Sequence, residues 1–407
     1  MAKIGDSVKK KVPELRFPGF TDDWEERKLG EFSDVRDGTH ASPKYVSQGH
    51  PMVTSKNLTH SGLDMTDVSF LTDEDFNEIN KRSKVSIGDI LFGMIGTIGN
   101  PVIVDRDDFA IKNVALIKEK TSNPITNKWL LQYLKSPSFN RFIQKENAGG
   151  TQKFIALGLI RDMKLRVPEF DEQQKIGTFF KKIDDTIALH QRKLDLLKEQ
   201  KKGYLQKMFP KNGAKVPELR FAGFADDWEE RKLGELGSVA MNKRIFKDQT
   251  SEIGDIPFFK IGTFGGEADA YISRKLYEEY KQKYPYPKVG DILISASGSI
   301  GRTVVYQGEE EYFQDSNIVW LNHDERLNNR FLKQFYSIVT WQGLEGSTIK
   351  RLYNKNILET KISIPTPNEQ EKIGLFFEKI DDTIDLHQRK LDLLKEQKKG
   401  FLQKMFV

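Results

Sequence analysis

The feature that most constrains this chain is that it repeats itself. Residues 12–31 (VPELRFPGFTDDWEERKLGE) return as residues 216–235 with 18 of 20 positions identical, and residues 172–209 return as residues 369–406 with 33 of 38 identical. The offsets are 204 and 197, so the diverged interior is seven residues longer in the first half. A direct repeat of this kind indicates one structural unit built twice, in which constant segments enclose two variable bodies.

The variable bodies share a skeleton. In each, a Gly-Asp-Ile-Leu run precedes a glycine-rich turn, at residues 88–99 and again at residues 290–301. This pattern predicts two apolar strands joined by the turn, and helical apolar spacing follows before a closing apolar segment that ends at Pro168 or Pro365. We therefore predict that each body is a mixed α/β domain of about 140 residues.

The second constant segment predicts a long helix. Its apolar residues recur at spacings of four and three over five heptads, which favours a coiled coil, and the natural partner of each helix is the other copy. We interpret His190 and His387 as polar residues that fix the register of this pair, and a pH-sensitive contact is the alternative. The predicted contact line, called the helix seam below, contains Ile176, Phe180, Ile183, Ile187, His190, Leu194, Leu197, Ile373, Phe377, Ile380, Ile384, His387, Leu391 and Leu394.

Together these patterns predict an α+β (mixed α/β) fold with a pseudo-twofold tandem repeat. Two domains are joined by two long antiparallel coiled-coil helices, and a break at residues 210–213 lets the chain restart between the copies. The predicted ranges are 1–168 for the first domain with its N-terminal constant segment, 169–211 for the central helix, 212–365 for the second domain and 366–407 for the C-terminal helix.

Composition excludes several kinds of protein. The sequence has no cysteine, which excludes disulfides, thiolate zinc sites and a cysteine nucleophile. No apolar run approaches the roughly 20 residues of a membrane helix, and the N-terminus lacks the apolar stretch of a secretory signal, so we expect a cytoplasmic protein. The net charge is +5, yet residues 22–168 carry 20 basic and 20 acidic side chains. Charge alone therefore does not establish nucleic-acid binding.

The constant segments resemble a known family. The repeated VPELRF-x-GF-x-x-x-W-E-x-x-K-L-G-E segments, the GDIL and G-[TS]-I-G turns and the paired P-x-x-x-E-Q-x-K-I helix starts are similar to those of specificity subunits of type I restriction–modification systems. The resemblance implies two target-recognition domains, each of which reads one half of a split, asymmetric site in double-stranded DNA. It also implies two docked modification (methyltransferase) subunits and, joining that core, ATP-dependent restriction subunits.

The same resemblance implies a non-catalytic chain without a metal or cofactor of its own; S-adenosylmethionine, ATP and magnesium are expected on the partner subunits. The residues agree, because the Asn-Pro dipeptides lack the second proline and the aromatic residue of adenine methylases, and the six histidines are never closer than ten positions. The glycine turns lack the Lys-Ser/Thr ending of a P-loop. We interpret Glu172 and Glu369, at the helix starts, as capping residues that compensate the helix dipole.

Candidate DNA contacts are polar and basic residues of the variable bodies, because such side chains read base edges. An ordinary surface role remains the alternative for each of them. Lys153 and Lys350 occupy equivalent positions, so we expect phosphate contact from these two. The candidates are Lys56, Asn57, Lys81, Arg82, Lys84, Thr97 and Lys153 in the first body, and Asn242, Lys243, Arg244, Lys260, Ser297, Arg302, Lys350 and Arg351 in the second.

Other interpretations stay open on sequence alone. A helical-repeat scaffold without DNA specificity predicts that the chain enriches no duplex sequence, and a stand-alone DNA-modifying enzyme predicts S-adenosylmethionine binding or metal-dependent cleavage by the purified chain. Trp24 and Trp228 are either anchors for a partner subunit or core residues that close each body. Apolar residues off the helix seam are expected to meet the recognition domains or the modification subunits; they are Phe179, Leu189, Leu196, Phe376, Leu386 and Leu393.

Overall fold

The computed structural model describes residues 12–60, 62–120, 124–146, 154–211, 213–343 and 350–406. The first half contains β1 (Glu25–Lys28), α1 (Leu29–Phe32), β2 (Ser33–Asp37), β3 (His50–Val53), β4 (Leu58–Thr59), β5 (Gly62–Leu63), β6 (Ser69–Leu71), α2 (Asp73–Ser83), β7 (Ile90–Gly93), β8 (Gly99–Ile103), β9 (Ala110–Ile111), β10 (Val114–Glu119), α3 (Asn127–Leu134), α4 (Pro137–Glu146), α5 (Leu157–Asp162), β11 (Lys164–Val167) and α6 (Phe170–Met208). The second half contains β12 (Glu229–Lys232), α7 (Leu233–Leu236), β13 (Gly237–Ala240), β14 (Ile256–Phe259), β15 (Tyr271–Ile272), α8 (Arg274–Lys283), β16 (Ile292–Ser295), β17 (Thr303–Val305), β18 (Tyr312–Phe313), β19 (Ile318–His323), α9 (Asn329–Ile338), α10 (Asn354–Glu359), β20 (Lys361–Ile364) and α11 (Pro367–Lys404).

The chain divides into two compact units, and each contains part of both long helices. The first unit comprises Met1–Arg192 and His387–Val407, and the second comprises Lys193–Leu386. Each long helix therefore begins in one unit and ends in the other. The four domain ranges predicted from the sequence are consecutive segments of the chain, whereas the two units are defined by contacts in space. The four ranges therefore stay a prediction.

An antiparallel sheet with the strand order β2-β10-β7-β8 forms the centre of the first unit. Its side chains alternate between two cores, since Ile90 and Phe92 of β7 pack with Trp129 of α3, whereas Leu91 packs with Leu116 on the opposite face. Burial on both faces explains why β7 is a continuous apolar run in the sequence. The predicted strand, turn, strand and helix are confirmed.

Smaller sheets complete the first unit. β6, β3 and β9 form a three-stranded sheet, and β1 pairs antiparallel with β11. The β1–β11 pair joins the first constant segment to the strand that closes the body, directly before α6 begins.

The second unit repeats this topology. Its central sheet has the order β13-β19-β16-β17, a second sheet has the order β15-β14-β18, and β12 pairs with β20. The alternation recurs, because Ile292 and Ile294 of β16 face the core that contains Trp228, while Leu293 faces Trp320 on the other side. The matching topologies confirm that the sequence repeat builds one fold twice.

The long helices run antiparallel within each unit. In the first unit, Lys398 Nζ lies 2.6 Å from Asp184 Oδ1, and the rings of Phe179 and Phe401 meet edge-on with centroids 5.0 Å apart. Residue numbers therefore fall along one helix as they rise along the other. The second unit repeats both contacts in Lys201–Asp381 (2.5 Å) and Tyr204–Phe376 (5.1 Å). A continuous coiled coil along the whole helices stays a prediction.

Every predicted residue of the helix seam is shielded from solvent at least in part. The fully buried members are Ile176, Phe180, Leu194, Ile373, Phe377 and Leu391. The half-buried members are Ile183, Ile187, His190, Leu197, Ile380, Ile384, His387 and Leu394. This burial agrees with the seam interpretation.

Each core is closed by the end of a long helix that began in the other unit. In the first unit the ring of Phe406 lies 6.5 Å from Trp24 and 6.0 Å from Trp129. In the second, Phe209 lies 6.0 Å from Trp228. Trp24 and Trp228 are each 3% exposed, which favours the core interpretation over that of a partner anchor.

The interpretation of Glu172 and Glu369 as capping residues is incomplete. Both carboxylates are fully buried, and Arg16 donates to Glu172 through Nε (2.9 Å) and Nη2 (2.7 Å), while Trp24 Nε1 donates from 3.0 Å. Arg220 binds Glu369 in the same bidentate way at 2.7 Å. These carboxylates tie each constant segment to the start of a long helix by a buried ion pair.

We predict that Arg16→Ala lowers the free energy of unfolding by about 3–5 kcal/mol, because it leaves the buried Glu172 carboxylate without its counter-ion. Urea denaturation followed by tryptophan fluorescence measures the change. The control is Lys164→Ala, which breaks the exposed Lys164–Glu26 pair (2.9 Å) and is expected to have a much smaller effect, because water and salt screen an exposed ion pair. Equal effects of the two variants would contradict the role given to the buried pair.

Candidate nucleic-acid interface

The turn between β7 and β8 forms one wall of an open cleft on the first unit. Gly93 allows this turn, because a Cβ there would collide with the carbonyl oxygen of Thr97. The cleft has a volume of about 270 Å³ and is lined by Thr54, Ser55, Lys56, Ile95, Gly96, Thr97 and Asn113. The structure thus brings two of the predicted DNA contacts, Lys56 and Thr97, into one site.

The other first-body candidates divide into exposed and buried side chains. Lys81, Arg82 and Lys84 are exposed at the end of α2. Asn57 is only 2% exposed, and its Nδ2 donates to the carbonyl oxygens of Asp64 (3.1 Å) and Asp67 (2.9 Å). This burial argues against direct base contact by Asn57. Lys153 lies outside the described residues.

The corresponding region of the second unit surrounds the turn between β16 and β17. Ser297 Oγ donates to Asn317 Oδ1 (2.8 Å), and Arg351 Nη2 donates to the carbonyl oxygen of Ser316 (2.8 Å). Arg244 Nε donates to Asp315 Oδ2 (3.0 Å). Three predicted contacts, Ser297, Arg351 and Arg244, therefore converge on the segment between β18 and β19.

The remaining second-body candidates are spread more widely. Asn242 is 3% exposed and donates to the carbonyl oxygen of Pro285 (3.2 Å), which argues against base contact. Arg302 and Lys350 are exposed. Two lysines contact neighbouring side chains. Lys260 Nζ lies 2.8 Å from Asp269 Oδ1, and Lys243 Nζ lies 5.1 Å from the centroid of the Tyr284 ring.

The polar segment that enters each site between two strands was not predicted from the sequence. In the first unit this is Asn113, with φ of 55°, and in the second it is Asp315, Ser316 and Asn317, with φ of 53° at Ser316. Polar residues between two apolar strands do mark a turn in the sequence. Their neighbours come from distant parts of the chain, so no local pattern could have placed them at the cleft.

His40 and Asp37 are further missed residues beside the first cleft. The half-exposed His40 faces Asp37 Oδ2 through Nε2 (2.9 Å) and Asn113 Oδ1 through Nδ1 (2.7 Å), and Arg82 also pairs with Asp37. The hydrogen bonds to Asp37 and Asn113 raise the pKa of His40 above its usual value, against the opposing effects of burial and of the Arg82 charge. Asp37 and His40 therefore connect Arg82, a predicted DNA contact, to Asn113, which lines the cleft.

The two central histidines of the helix seam contact each other. His190 Nδ1 lies 3.0 Å from His387 Nδ1, so one nitrogen donates a hydrogen and the other accepts it. Leu189, Leu196, Leu386 and Leu393, predicted to lie off the seam, are 58–63% exposed. Phe179 and Phe376 are instead half-buried against aromatic neighbours.

Across the residues that the structure describes, no group of three or more His, Asp or Glu side chains is arranged to hold a metal ion. Nor does any helix in that part of the chain have the length and apolar character needed to cross a membrane.

Comparison with known proteins identifies the repeated unit. The sequence model of the type I restriction modification DNA specificity domain matches twice, at residues 21–199 and 225–396. A putative type I restriction enzyme specificity subunit from Haemophilus influenzae is 59% identical over 151 residues, which are 37% of this chain and 39% of that protein. Another putative specificity subunit, from Methanocaldococcus jannaschii, is 24% identical over 94% of this chain and 92% of its own length.

Solved structures show the same fold. The S subunit of a type I restriction–modification system from M. genitalium aligns with a TM-score of 0.68 at 16% identity and covers 97% of this chain and 99% of that one. A chain from a study of complex assembly in a type I restriction–modification system aligns with a TM-score of 0.52 at 16% identity and covers 95% of this chain and 98% of that one.

We predict that the double variant His190→Leu/His387→Leu raises the melting temperature, because both polar groups of the pair leave a seam that is otherwise largely apolar. Each single variant leaves one imidazole without this hydrogen bond and is expected to be about 1 kcal/mol less stable than the double. Thermal denaturation of the four proteins measures the coupling. Additive single effects would contradict a direct contact between the two rings.

Proposed function

This chain belongs to the family of type I restriction–modification specificity subunits, and we propose that its two units read the two halves of a bipartite, asymmetric DNA site. Each unit contributes one half-site, and the subunit directs adenine methylation and restriction by its partner proteins to that site. The ligand is double-stranded DNA, and the partners are two methyltransferase subunits, which restriction subunits join.

The proposal is supported by one observation: the two units share a fold but present different sets of polar groups. The first cleft presents Lys56, Thr97 and Asn113. The corresponding region of the second unit presents Ser297 and Arg351 beside the Asp315 segment. Since base edges are distinguished by their patterns of donors and acceptors, unlike groups on like scaffolds favour unlike half-sites.

The constant parts of the chain suit a partner that binds twice. The near-identical helices repeat the exposed leucines, with Leu189 corresponding to Leu386 and Leu196 to Leu393. Two equivalent apolar stripes favour two copies of one methyltransferase subunit. We further propose that the helices set the spacing between the half-sites, because α6 and α11 each run through both units.

We assign the chemistry to the partners. In this proposal the chain is non-catalytic and holds no cofactor, while S-adenosylmethionine belongs to the methyltransferase subunits and ATP with magnesium to the restriction subunits. The complex acts on cytoplasmic DNA.

The decisive experiment maps methylated adenines in DNA exposed to this chain together with its modification subunit. Replacement of residues 33–163 by the corresponding interior of another family member is expected to change one half of the motif and leave the other half and the spacing unchanged. A change in both halves would contradict the assignment of one half-site to each unit.

A matched control comes from the constant segments. The double variant Pro18→Ala/Thr21→Ala makes the first segment identical to the second over residues 12–31. It is expected to leave the whole motif unchanged, because the proposal gives these residues no contact with bases.

We predict that Lys350→Ala weakens binding of specific and non-specific duplexes alike and reduces the slope of log K against log salt by about 1, as the loss of one phosphate contact does. Fluorescence anisotropy over a salt series with the assembled complex provides the measurement. An altered base preference, or an unchanged slope, would remove Lys350 from the phosphate contacts.

A further inference from the structure

The loop after β2 is fastened directly to the strands that flank Asn113. Gly38 N–H donates to the carbonyl oxygen of Val114 and Thr39 N–H to that of Ile111, both at 3.0 Å. A Cβ at residue 38 would collide with the Ile111 carbonyl, so only glycine permits this approach. The close contact brings His40, two residues later, against Asn113.

Both ring nitrogens of His40 face oxygen acceptors. Nε2 lies 2.9 Å from Asp37 Oδ2, and Nδ1 lies 2.7 Å from Asn113 Oδ1. An imidazole donates from both nitrogens only as the cation. The charged groups that face the ring are the Asp37 carboxylate, which favours the cation, and the Arg82 guanidinium, which opposes it. Protonated His40 therefore donates to both oxygens at once.

The contact with His40 determines which end of the Asn113 amide remains available. The backbone of Asn113 is fixed at φ 55°, its N–H donates to the Thr39 carbonyl (3.2 Å), and its own carbonyl accepts from Ser55 Oγ (3.2 Å). Oδ1 is occupied by His40, and none of the described residues accepts a hydrogen bond from Nδ2. Asn113 lines the open cleft beside Thr97.

We propose that His40 is a positioning residue that orients the Asn113 amide so that its Nδ2 donates to an acceptor on a base edge, namely O6 of guanine or O4 of thymine. This inference rests on the proposed function and deepens it, since it names the residue that selects one base in the half-site of the first unit.

The second unit has an equivalent pair of side chains, in which an arginine replaces the histidine. Arg244 is equivalent to His40 under the repeat offset of 204, and Asp315, like Asn113, is the second residue after its strand (β18 or β9). Arg244 Nε donates to Asp315 Oδ2 at 3.0 Å. Because arginine stays charged throughout the physiological range, this pair cannot reverse with pH.

The hydrogen bond between His40 and Asn113 can reverse its direction. Once His40 loses a proton it keeps Nε2–H for Asp37, and Nδ1 becomes an acceptor. The Asn113 amide then gains a hydrogen bond by rotating, which gives Nδ2 to His40 and turns Oδ1 toward the cleft. The base preference of the first unit therefore relaxes as the pH rises through the elevated pKa of His40, while that of the second unit does not change.

The test uses the chain assembled with its modification subunit and duplex libraries randomised in one half-site at a time. Asn113→Asp keeps the size of the side chain and a residue type that tolerates positive φ, but it offers only acceptors to the cleft. At one position of the first half-site the preference is expected to move from guanine or thymine to cytosine or adenine on the same strand, by roughly tenfold or more. The second half-site is the internal control.

A pH series separates positioning from mere folding. In the wild-type complex, discrimination at that position is expected to fall as the pH rises, with a midpoint above the usual value of about 6.5 for histidine. His40→Arg places in the first unit the cation that the second unit already has, and it is expected to keep the guanine or thymine preference across the series.

The possible outcomes are distinct. If Asn113→Asp leaves every position of the first half-site unchanged, or if His40→Arg keeps the wild-type pH profile, the inference is overturned. If the wild-type complex selects no bipartite motif at all, the proposed function is overturned, and the inference that rests on it is overturned with it.

Discussion

The architecture depends on a buried carboxylate at the start of each long helix. Glu172 and Glu369 are fully shielded from solvent, and each is held by a bidentate arginine from the constant segment that precedes its body. A charge in that position is tolerated only while its partner is present. The constant segment, the closing strand and the helix start are therefore fixed together, and the variable body folds between two anchored ends.

This arrangement explains which parts of the sequence vary. The anchors lie in the constant segments and the helices, and Phe406 or Phe209 closes each core from the end of the opposite helix. The body needs only to supply a sheet that is buried on both faces, as β7 and β16 are. Polar groups on the turns and on the segment between β9 and β10, or β18 and β19, can then change without disturbing the anchors.

The repeat and the apolar periodicities predicted the strands beside the glycine-rich turns, the closing strands, the long helices and their antiparallel direction, because these features follow from local patterns and from the comparison of two copies. Polar roles were harder to predict. Asn57 and Asn242 look like base-reading amides in the sequence, but the fold buries both and uses their donors internally. Conversely, His40 and Asn113 lie 73 residues apart and meet only because the Gly38 backbone packs directly against the strand at Ile111. Contacts of this range leave no periodic trace in one sequence.

The two units differ in one pair of side chains beside the variable turns. Equivalent positions hold a histidine with an amide in the first unit and an arginine with a carboxylate in the second. In both, a basic side chain contacts one oxygen of a short side chain, so the polar group left over is set by the pair and not by one residue. The first pair leaves an amide donor, whereas the second leaves a carboxylate oxygen, which accepts hydrogen bonds. A single scaffold can therefore select opposite base-edge chemistry by exchanging two side chains, while the buried anchors and the helices remain unchanged.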